Sequence, residues 1–258
     1  MEDIRVSIIT VCYNSEKTIR KTIESVLHQT YKNIEYIIVD GASSDGTLNI
    51  IEEYLEVFQG RLRVISEPDD GIYYAMNKGI VVASGELIGI INSDDWYEEN
   101  AVEEIVKVYW NNHDNPYSIY YGETGIVNDG ELIRVESSSH EKLEEEMISH
   151  PSCFVTARTY DEFGRFDTEY PCVADYDLML RYYKSGEVSF IPVDCHIANF
   201  TLGGMSSTGK AYIDLLRLKK AYGKMSCFDA NIEIFKAKLA VFMKKHGLKP
   251  IQLRKRKE

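Results

Sequence analysis

Asn92-Ser93-Asp94-Asp95 follows the apolar run 87–91. Two adjacent carboxylates there suit a hard cation, Mg²⁺ or Mn²⁺, that binds carboxylate and phosphate oxygens together. The pair suits a helix N-cap equally well, since Glu98-Glu99 and an amphipathic stretch come next. One carboxylate could cap while the other holds metal. Asp40 and Asp45 bracket the turn Asp40-Gly41-Ala42-Ser43-Ser44-Asp45-Gly46. They either shape that turn and cap the helix opening near Thr47, or accept a hydrogen bond from a nucleotide base. Gly41 and Gly46 make neither G-x-G-x-x-G nor a P-loop, because no Gly-Lys-Ser/Thr follows. Asp175 stands at a helix start, in Ala174-Asp175-Tyr176-Asp177-Leu178-Met179-Leu180-Arg181, where it is a cap or a general base. His150, before Pro151, and His196 read more readily as structural than as ligands.

These groups need a scaffold that gathers them, and the pattern of the first hundred residues provides one. Residues 6–11 form a strand of β-branched residues, after which Ile19, Ile23, Val26 and Leu27 recur at helical spacing. A second strand covers 34–39, with a helix near 48–58. A third strand near 62–65 precedes a helix over 72–82, and a fourth strand covers 87–91. Alternating strands and helices predict an α/β fold with a mostly parallel central sheet flanked by helices. Ligands bind such sheets beyond the carboxyl ends of the strands. Tyr13-Asn14, 40–46, Glu67-Pro68-Asp69-Asp70-Gly71 and 92–95 each follow a strand, so the four clusters make one site.

Beyond about residue 110 the pattern changes. Asn128-Asp129-Gly130 reads as a hairpin turn. Residues 173–185 read as a helix, 188–191 and 197–200 as strands, and 201–207 as a flexible loop. Two lysine-rich helices over 208–222 and 231–246 follow. The expected division is a domain over 1–207 and a basic helical extension over 208–258.

The net charge of −12 is unevenly spread. From Thr208 onward 14 Lys and Arg face 4 Asp and Glu, against 15 and 37 before it. An acidic body repels nucleic acid, which excludes it as the main partner. No run of about 18 apolar residues exists to span a bilayer. The N-terminus lacks the cleavage signature of a signal peptide, so a cytoplasmic location is expected. Cys12, Cys153, Cys172, Cys195 and Cys227 contain no C-x-x-C pair, which predicts reduced, mostly buried thiols.

Four segments together resemble glycosyltransferase family 2, the inverting family with the GT-A fold, of the bacterial surface-polysaccharide type. They are Val6-Ser7-Ile8-Ile9-Thr10-Val11-Cys12-Tyr13-Asn14, Asp40-Gly41-Ala42-Ser43-Ser44-Asp45-Gly46-Thr47, Gly85-Glu86-Leu87-Ile88-Gly89-Ile90-Ile91-Asn92-Ser93-Asp94-Asp95-Trp96 and Asp175-Tyr176-Asp177-Leu178-Met179-Leu180-Arg181. They keep family order and spacing over roughly residues 5–205. The resemblance implies transfer of a sugar from a nucleotide-sugar, UDP-sugar favoured, to a hydroxyl of a saccharide or lipid-linked acceptor. It implies that Thr10, Tyr13 and Asn14 line the nucleotide pocket and that Asp40 pairs with the base. Asp45, Asp69, Asp70 and Gly71 would close the base and ribose site. Asn92, Ser93, Asp94 and Asp95 fall in the D-x-D region, with Asp94 and Asp95 holding Mn²⁺ or Mg²⁺ on the diphosphate. Asp175 matches the catalytic base and Arg181 lies further along its helix. His150 would lie near the donor sugar or acceptor, and 203–206 resembles the loop that closes over the donor. Two departures stand out. Asn92 replaces a common Asp, and Ala174 replaces a common Glu, which removes one partner for the base.

The implied chemistry is a single displacement that inverts the anomeric carbon, in the geometric logic of inverting glycosidases. A nucleotidyltransferase would share the sheet and the metal carboxylates, yet it usually carries a Gly-rich basic loop where Tyr13-Asn14-Ser15-Glu16 stands. A non-catalytic nucleotide- or carbohydrate-binding module would have no use for both Asp94-Asp95 and Asp175. At the C-terminus Ile232, Ile234, Phe235, Leu239, Val241 and Phe242 lie among Lys236, Lys238, Lys244 and Lys245, ahead of Arg254-Lys255-Arg256-Lys257. This basic amphipathic tail suits peripheral contact with an anionic membrane, on its inner face, or packing on its own domain with solvated lysines.

Overall fold

Five β-branched residues in Val6–Cys12 favour extended backbone, and all seven positions of this strand, β1, are buried. Burial on both faces marks a strand inside a parallel sheet covered by helices. The computed structural model describes residues 3–204 and 208–245. After β1 come α1 (Ile19–Leu27), β2 (Ile34–Asp40), α2 (Thr47–Glu52), β3 (Leu62–Ser66), α3 (Ile72–Val82) and β4 (Leu87–Asn92). Next are β5 (Trp96–Tyr97), α4 (Ala101–Asn111), β6 (Ser118–Asn128), β7 (Glu131–Glu136) and β8 (Cys153–Thr156). Then follow α5 (Ala157–Phe163), α6 (Ala174–Ser185), β9 (Ser189–Thr201), α7 (Gly209–Ala221) and α8 (Cys227–Lys245).

The strands form one mixed sheet in the order β3-β2-β1-β4-β8-β6-β9-β5, with β7 paired to β6. The half built by β1 to β4 is parallel. At β4 the direction changes, for β8 runs antiparallel to both β4 and β6. Register explains why the polar clusters meet. Cys12 stands opposite Asp40, Val11 opposite Asn92, and Asp40 opposite Ser66. The strands thus end level, and the chain following each emerges at the same edge. Helix α3 lies close on β1, where a Cβ on Gly79 would meet Ile9 at 2.5 Å. Fully buried isoleucines such as Ile8, Ile19, Ile23 and Ile38 belong to this core, each contributing about 1.5–3 kcal/mol.

Three expected elements differ. The helix expected over 48–58 stops at Glu52, and the chain continues as turns bonded at three-residue spacing, Ile51 to Tyr54 and Glu52 to Leu55. Those turns still bury Tyr54 and Phe58, in line with Ile51 of α2, so the apolar spacing beyond Glu52 looked helical without being so. The strands expected at 188–191 and 197–200 are one strand, β9, running through Pro192. Proline lacks an N–H, and the β6–β9 register shifts just past it, between Tyr121 and Glu123. Helix α8 opens at Cys227 rather than at residue 231. The hairpin holds as expected, with Asp129 and Gly130 both at positive φ.

The chain divides into two compact units, Met1–Glu169 with Ala174–Leu202, and Tyr170–Val173 with Gly203–Glu258. The first carries the sheet. In the second, Thr208 caps α7 by accepting from Ala211 N–H, and α7 packs on α8. Residues 205–207, which hold much of the expected 201–207 loop and adjoin the expected 207/208 boundary, lie outside the described residues, as do His246 and 254–257. No described helix is long and apolar enough to cross a membrane. Among the described residues no disulfide forms; Cys12, Cys153 and Cys172 are buried, Cys195 is half-buried and Cys227 exposed.

Candidate active site

The loops after β1, β2 and β4 are stitched to one another. Asn14, at φ 50, donates its N–H to Ser43 Oγ (2.8 Å) and accepts from Ser44 N–H at Oδ1 (2.9 Å). Ser15 N–H donates to Thr47 Oγ1 (2.7 Å), and the Ser15 and Ser93 hydroxyls share a hydrogen bond of 2.8 Å. Gly46 N–H donates to Glu16 Oε2 (2.7 Å), and Glu16 N–H donates to Asp45 Oδ2 (3.2 Å). Asp45 also accepts from Thr47 N–H (3.0 Å), which shapes the turn and engages the first N–H of α2, whose N-cap position is Gly46. Tyr13 is 65% exposed and its ring lies beside Gly41.

Asp40 is fully buried. One oxygen takes Ser43 N–H (3.0 Å) and the Ser66 hydroxyl (2.7 Å), and the other takes the Ser43 hydroxyl and the Cys12 thiol. Four contacts fill the acceptor capacity of a carboxylate, so Asp40 builds the loop, and a further donor must take the place of one of these four. Burial, with Asp40 alongside, pushes the Cys12 thiol far above its usual range. Thr10 lies deeper, buried within β1, and accepts from the Tyr36 hydroxyl (3.0 Å). Asp69 is half-buried, with its carboxylate turned inward beside Lys78 Nζ at 2.5 Å, and neither of its oxygens receives a well-formed hydrogen bond. Gly71 takes φ 143, a backbone state glycine adopts freely, to turn this loop into α3.

The two carboxylates of the β4 turn differ. Asp95 is 1% exposed and accepts from Thr201 N–H at Oδ1 (2.8 Å) and from Asn92 Nδ2 at Oδ2 (3.2 Å). Burial, with Asp94 adjacent, pushes its carboxyl up to about 8. Asp94 is half-buried and shifted upward by burial, and no other side chain bonds its carboxylate among the described residues. Asn92 Oδ1 is buried with no hydrogen-bond partner. Neither aspartate caps a helix, since α4 opens only at Ala101, after Asn100.

Asp175 accepts at Oδ1 from the Tyr73 hydroxyl (2.9 Å) and from Tyr176 N–H (2.9 Å), which leaves Oδ2 with no hydrogen bond among the described residues. His150 is buried, its ring edge-on to Phe166 at 5.6 Å. Burial pulls its imidazole below the usual value, partly offset by nearby Asp175. Arg181 is occupied elsewhere, donating to Asp177 Oδ2 (2.9 Å) and to the carbonyls of Phe163 (2.8 Å) and Arg165 (2.6 Å). It ties α5 to α6, and among the described residues no hydrogen bond joins it to the strand-end loops.

The residues 7–165 match the family described as Glycosyl transferase family 2. The chain belongs to that family. Over 196 residues this family 2 chain is 32% identical to a chondroitin synthase of Pasteurella multocida, covering 74% of this chain but only 20% of that enzyme. It is 29% identical over 222 residues to the Escherichia coli UDP-Glc:alpha-D-GlcNAc-diphosphoundecaprenol beta-1,3-glucosyltransferase WfgD, covering 84% of this chain and 85% of WfgD. Its fold matches that of Staphylococcus aureus TarS 1-349, solved with UDP-GlcNAc, with TM-score 0.67, 21% identity, and coverage of 83% and 65%. The mixed sheet flanked by helices is thus the GT-A fold.

Family 2 membership raises the question of a divalent cation. Among the described residues no three His, Cys, Asp or Glu side chains gather as a ready metal cage. Mg²⁺ and Mn²⁺ at phosphate sites need less, because one or two carboxylates suffice alongside phosphate oxygens. Asp94 and the unpartnered Asn92 Oδ1 are hard oxygen donors that fit this role, whereas Asp95 is committed to Thr201 and Asn92. Tyr73 went unremarked in the sequence. Its signal was its place on the buried face of α3 with Met76 and Ile80.

Proposed function

We propose that this chain transfers a sugar, with inversion, from a UDP-sugar to a hydroxyl of a saccharide or lipid-linked saccharide in cell-envelope glycan synthesis. The observation that carries this reading is Asp175, fixed at one oxygen and open at the other. In the proposed step Asp175 Oδ2 takes the proton of the acceptor hydroxyl as that oxygen bonds to the anomeric carbon. The bond from that carbon to the diphosphate breaks, and UDP leaves with its electrons. Asp94 and Asn92 would hold a Mg²⁺ or Mn²⁺, which would supply Lewis-acid neutralisation of the leaving diphosphate. Tyr13 offers a ring face to the base, and the stitched loops beneath it hold the ribose and phosphates. A base imide reaches Asp40 by displacing the Ser43 or Ser66 hydroxyl. By similarity to WfgD, UDP-glucose and a GlcNAc-diphospho-lipid are the first substrates to try.

UDP with Mn²⁺ is expected to raise the melting temperature more than GDP, dTDP or ADP do, by about 2.7 kcal/mol of stabilisation at hundredfold saturation. Stabilisation by GDP or dTDP but not UDP removes the uridine assignment, and no response to any nucleotide removes the donor site. A lipid-linked acceptor places the enzyme at a membrane. On α8, Phe228, Ile232, Phe235 and Leu239 are exposed at helical spacing beside Lys236 and Lys238, which supports peripheral contact with anionic lipid. The wild type is expected to sediment with phosphatidylglycerol vesicles, and a Phe228→Glu, Phe235→Glu variant to stay behind. Wild-type protein left in the supernatant argues against this contact.

A further inference from the structure

We propose that Tyr73 is the positioning residue of the base, orienting the Asp175 carboxylate so that Oδ2 faces the acceptor. The inference rests on Asp175 acting as the base. The two residues are 102 positions apart, on α3 and α6, yet the Tyr73 hydroxyl donates to Asp175 Oδ1 at 2.9 Å. Tyr176 N–H donates to the same oxygen at 2.9 Å. Two donors on one oxygen fix the plane of the carboxylate and leave the second oxygen as the available acceptor. A base must stand within hydrogen-bond reach of the proton it takes, and a freely rotating carboxylate would spend much of its time misaligned.

Tyr73 is itself held firmly. It is 6% exposed, and its ring packs on that of Phe166, with centroids 5.3 Å apart. Phe166 is pinned to α3 by Asn77, whose Nδ2 donates to the Phe166 carbonyl (2.9 Å) and whose Oδ1 accepts from Phe166 N–H (3.1 Å). The other edge of Phe166 meets His150. The phenol therefore reaches Asp175 from a buried ring backed by Phe166. Where the sequence puts Ala174 in place of a carboxylate partner for the base, α3 provides a neutral hydroxyl from across the fold. Helix α3 also starts at Ile72, with Gly71 at its cap position directly after the Asp69-Asp70 loop. One rigid element thus joins the expected nucleotide loop to the base.

The test is a double-mutant cycle with Tyr73→Phe, which keeps the packed ring and removes only the hydroxyl, and Asp175→Asn. Turnover is followed as UDP released from UDP-glucose with a GlcNAc-diphospho-lipid acceptor. Tyr73→Phe is expected to lower kcat roughly tenfold, with UDP affinity by calorimetry and melting temperature near wild type. In the Asp175→Asn background the same substitution is expected to cost nothing further, because the group it orients is gone. An equal loss in both backgrounds means a merely structural role and overturns the proposal. So does a wild-type rate for Tyr73→Phe when Asp175→Asn is slow. A wild-type rate for Asp175→Asn removes the base assignment itself, and the proposal with it.

Discussion

Asp175→Asn is expected to fold, to bind UDP with Mn²⁺ as the wild type does, and to transfer sugar about 10²–10⁴-fold more slowly. Asparagine keeps the size of the side chain and an oxygen to accept from Tyr73 and Tyr176, so the local bonds survive. What disappears is the anionic oxygen able to take a proton. Asp177→Asn is the control, because two residues along a helix turn the side chain by about 200°. Asp177 is 4% exposed and bonded to Arg181, which in turn holds the Phe163 and Arg165 carbonyls. Its replacement is expected to lower the melting temperature while leaving turnover at a permissive temperature largely intact. Steady-state kinetics of both variants with saturating donor decide the matter. Asp175→Asn near the wild-type rate, with Asp177→Asn inactive, would move the base by two positions.

Asp94→Ala and Asp95→Ala are expected to part company, although the residues are adjacent. Removing Asp94 takes away the carboxylate not otherwise bonded, so Mn²⁺-stimulated transfer should fall by about 10²–10³-fold. UDP binding should lose its dependence on the cation, and the melting temperature without ligand should barely change. Removing Asp95 instead strips the acceptor from Thr201 N–H and Asn92 Nδ2, two part-buried donors that meet its buried carboxylate. A buried donor left unsatisfied costs about 1–3 kcal/mol, so this variant should be the thermally weaker one. Calorimetry of UDP binding with and without Mn²⁺, beside thermal melts, separates the two. If the cation dependence of Asp94→Ala matches wild type, the metal lies elsewhere.

The sequence made these two aspartates look equivalent, and the reason is instructive. Local pattern reveals that a polar turn closes β4, because the β-branched and apolar residues before it can only be a buried strand. It cannot reveal that Thr201, 106 residues away, returns along β9 to claim one carboxylate and not the other. The parallel half of the sheet was legible for the same local reason, and its level strand ends follow from it. Asp175 was legible through its segment and Tyr73 was not, since their contact spans two helices far apart in the chain. Arg181 was legible only as a neighbour further along the base's helix; its donors go to the Asp177 carboxylate and two carbonyls, partners that its own segment does not reveal. The 48–58 stretch misled because consecutive turns can bury the same face as a helix does.

The stitching of the strand-end loops also bears on which length changes the chain could tolerate over time. Asn14, Ser15 and Glu16 each hold a different partner, spread over the loop after β2, the first residue of α2 and the turn after β4. A single inserted or deleted residue between Asp40 and Gly46 would pull several of these bonds out of phase at once. The Asn128–Gly130 turn is another matter, as it closes a hairpin whose β7 residues are all exposed. Natural length variation in this protein's lineage should therefore collect at that hairpin and be nearly absent from the 40–46 loop, whatever sugar or acceptor each descendant uses.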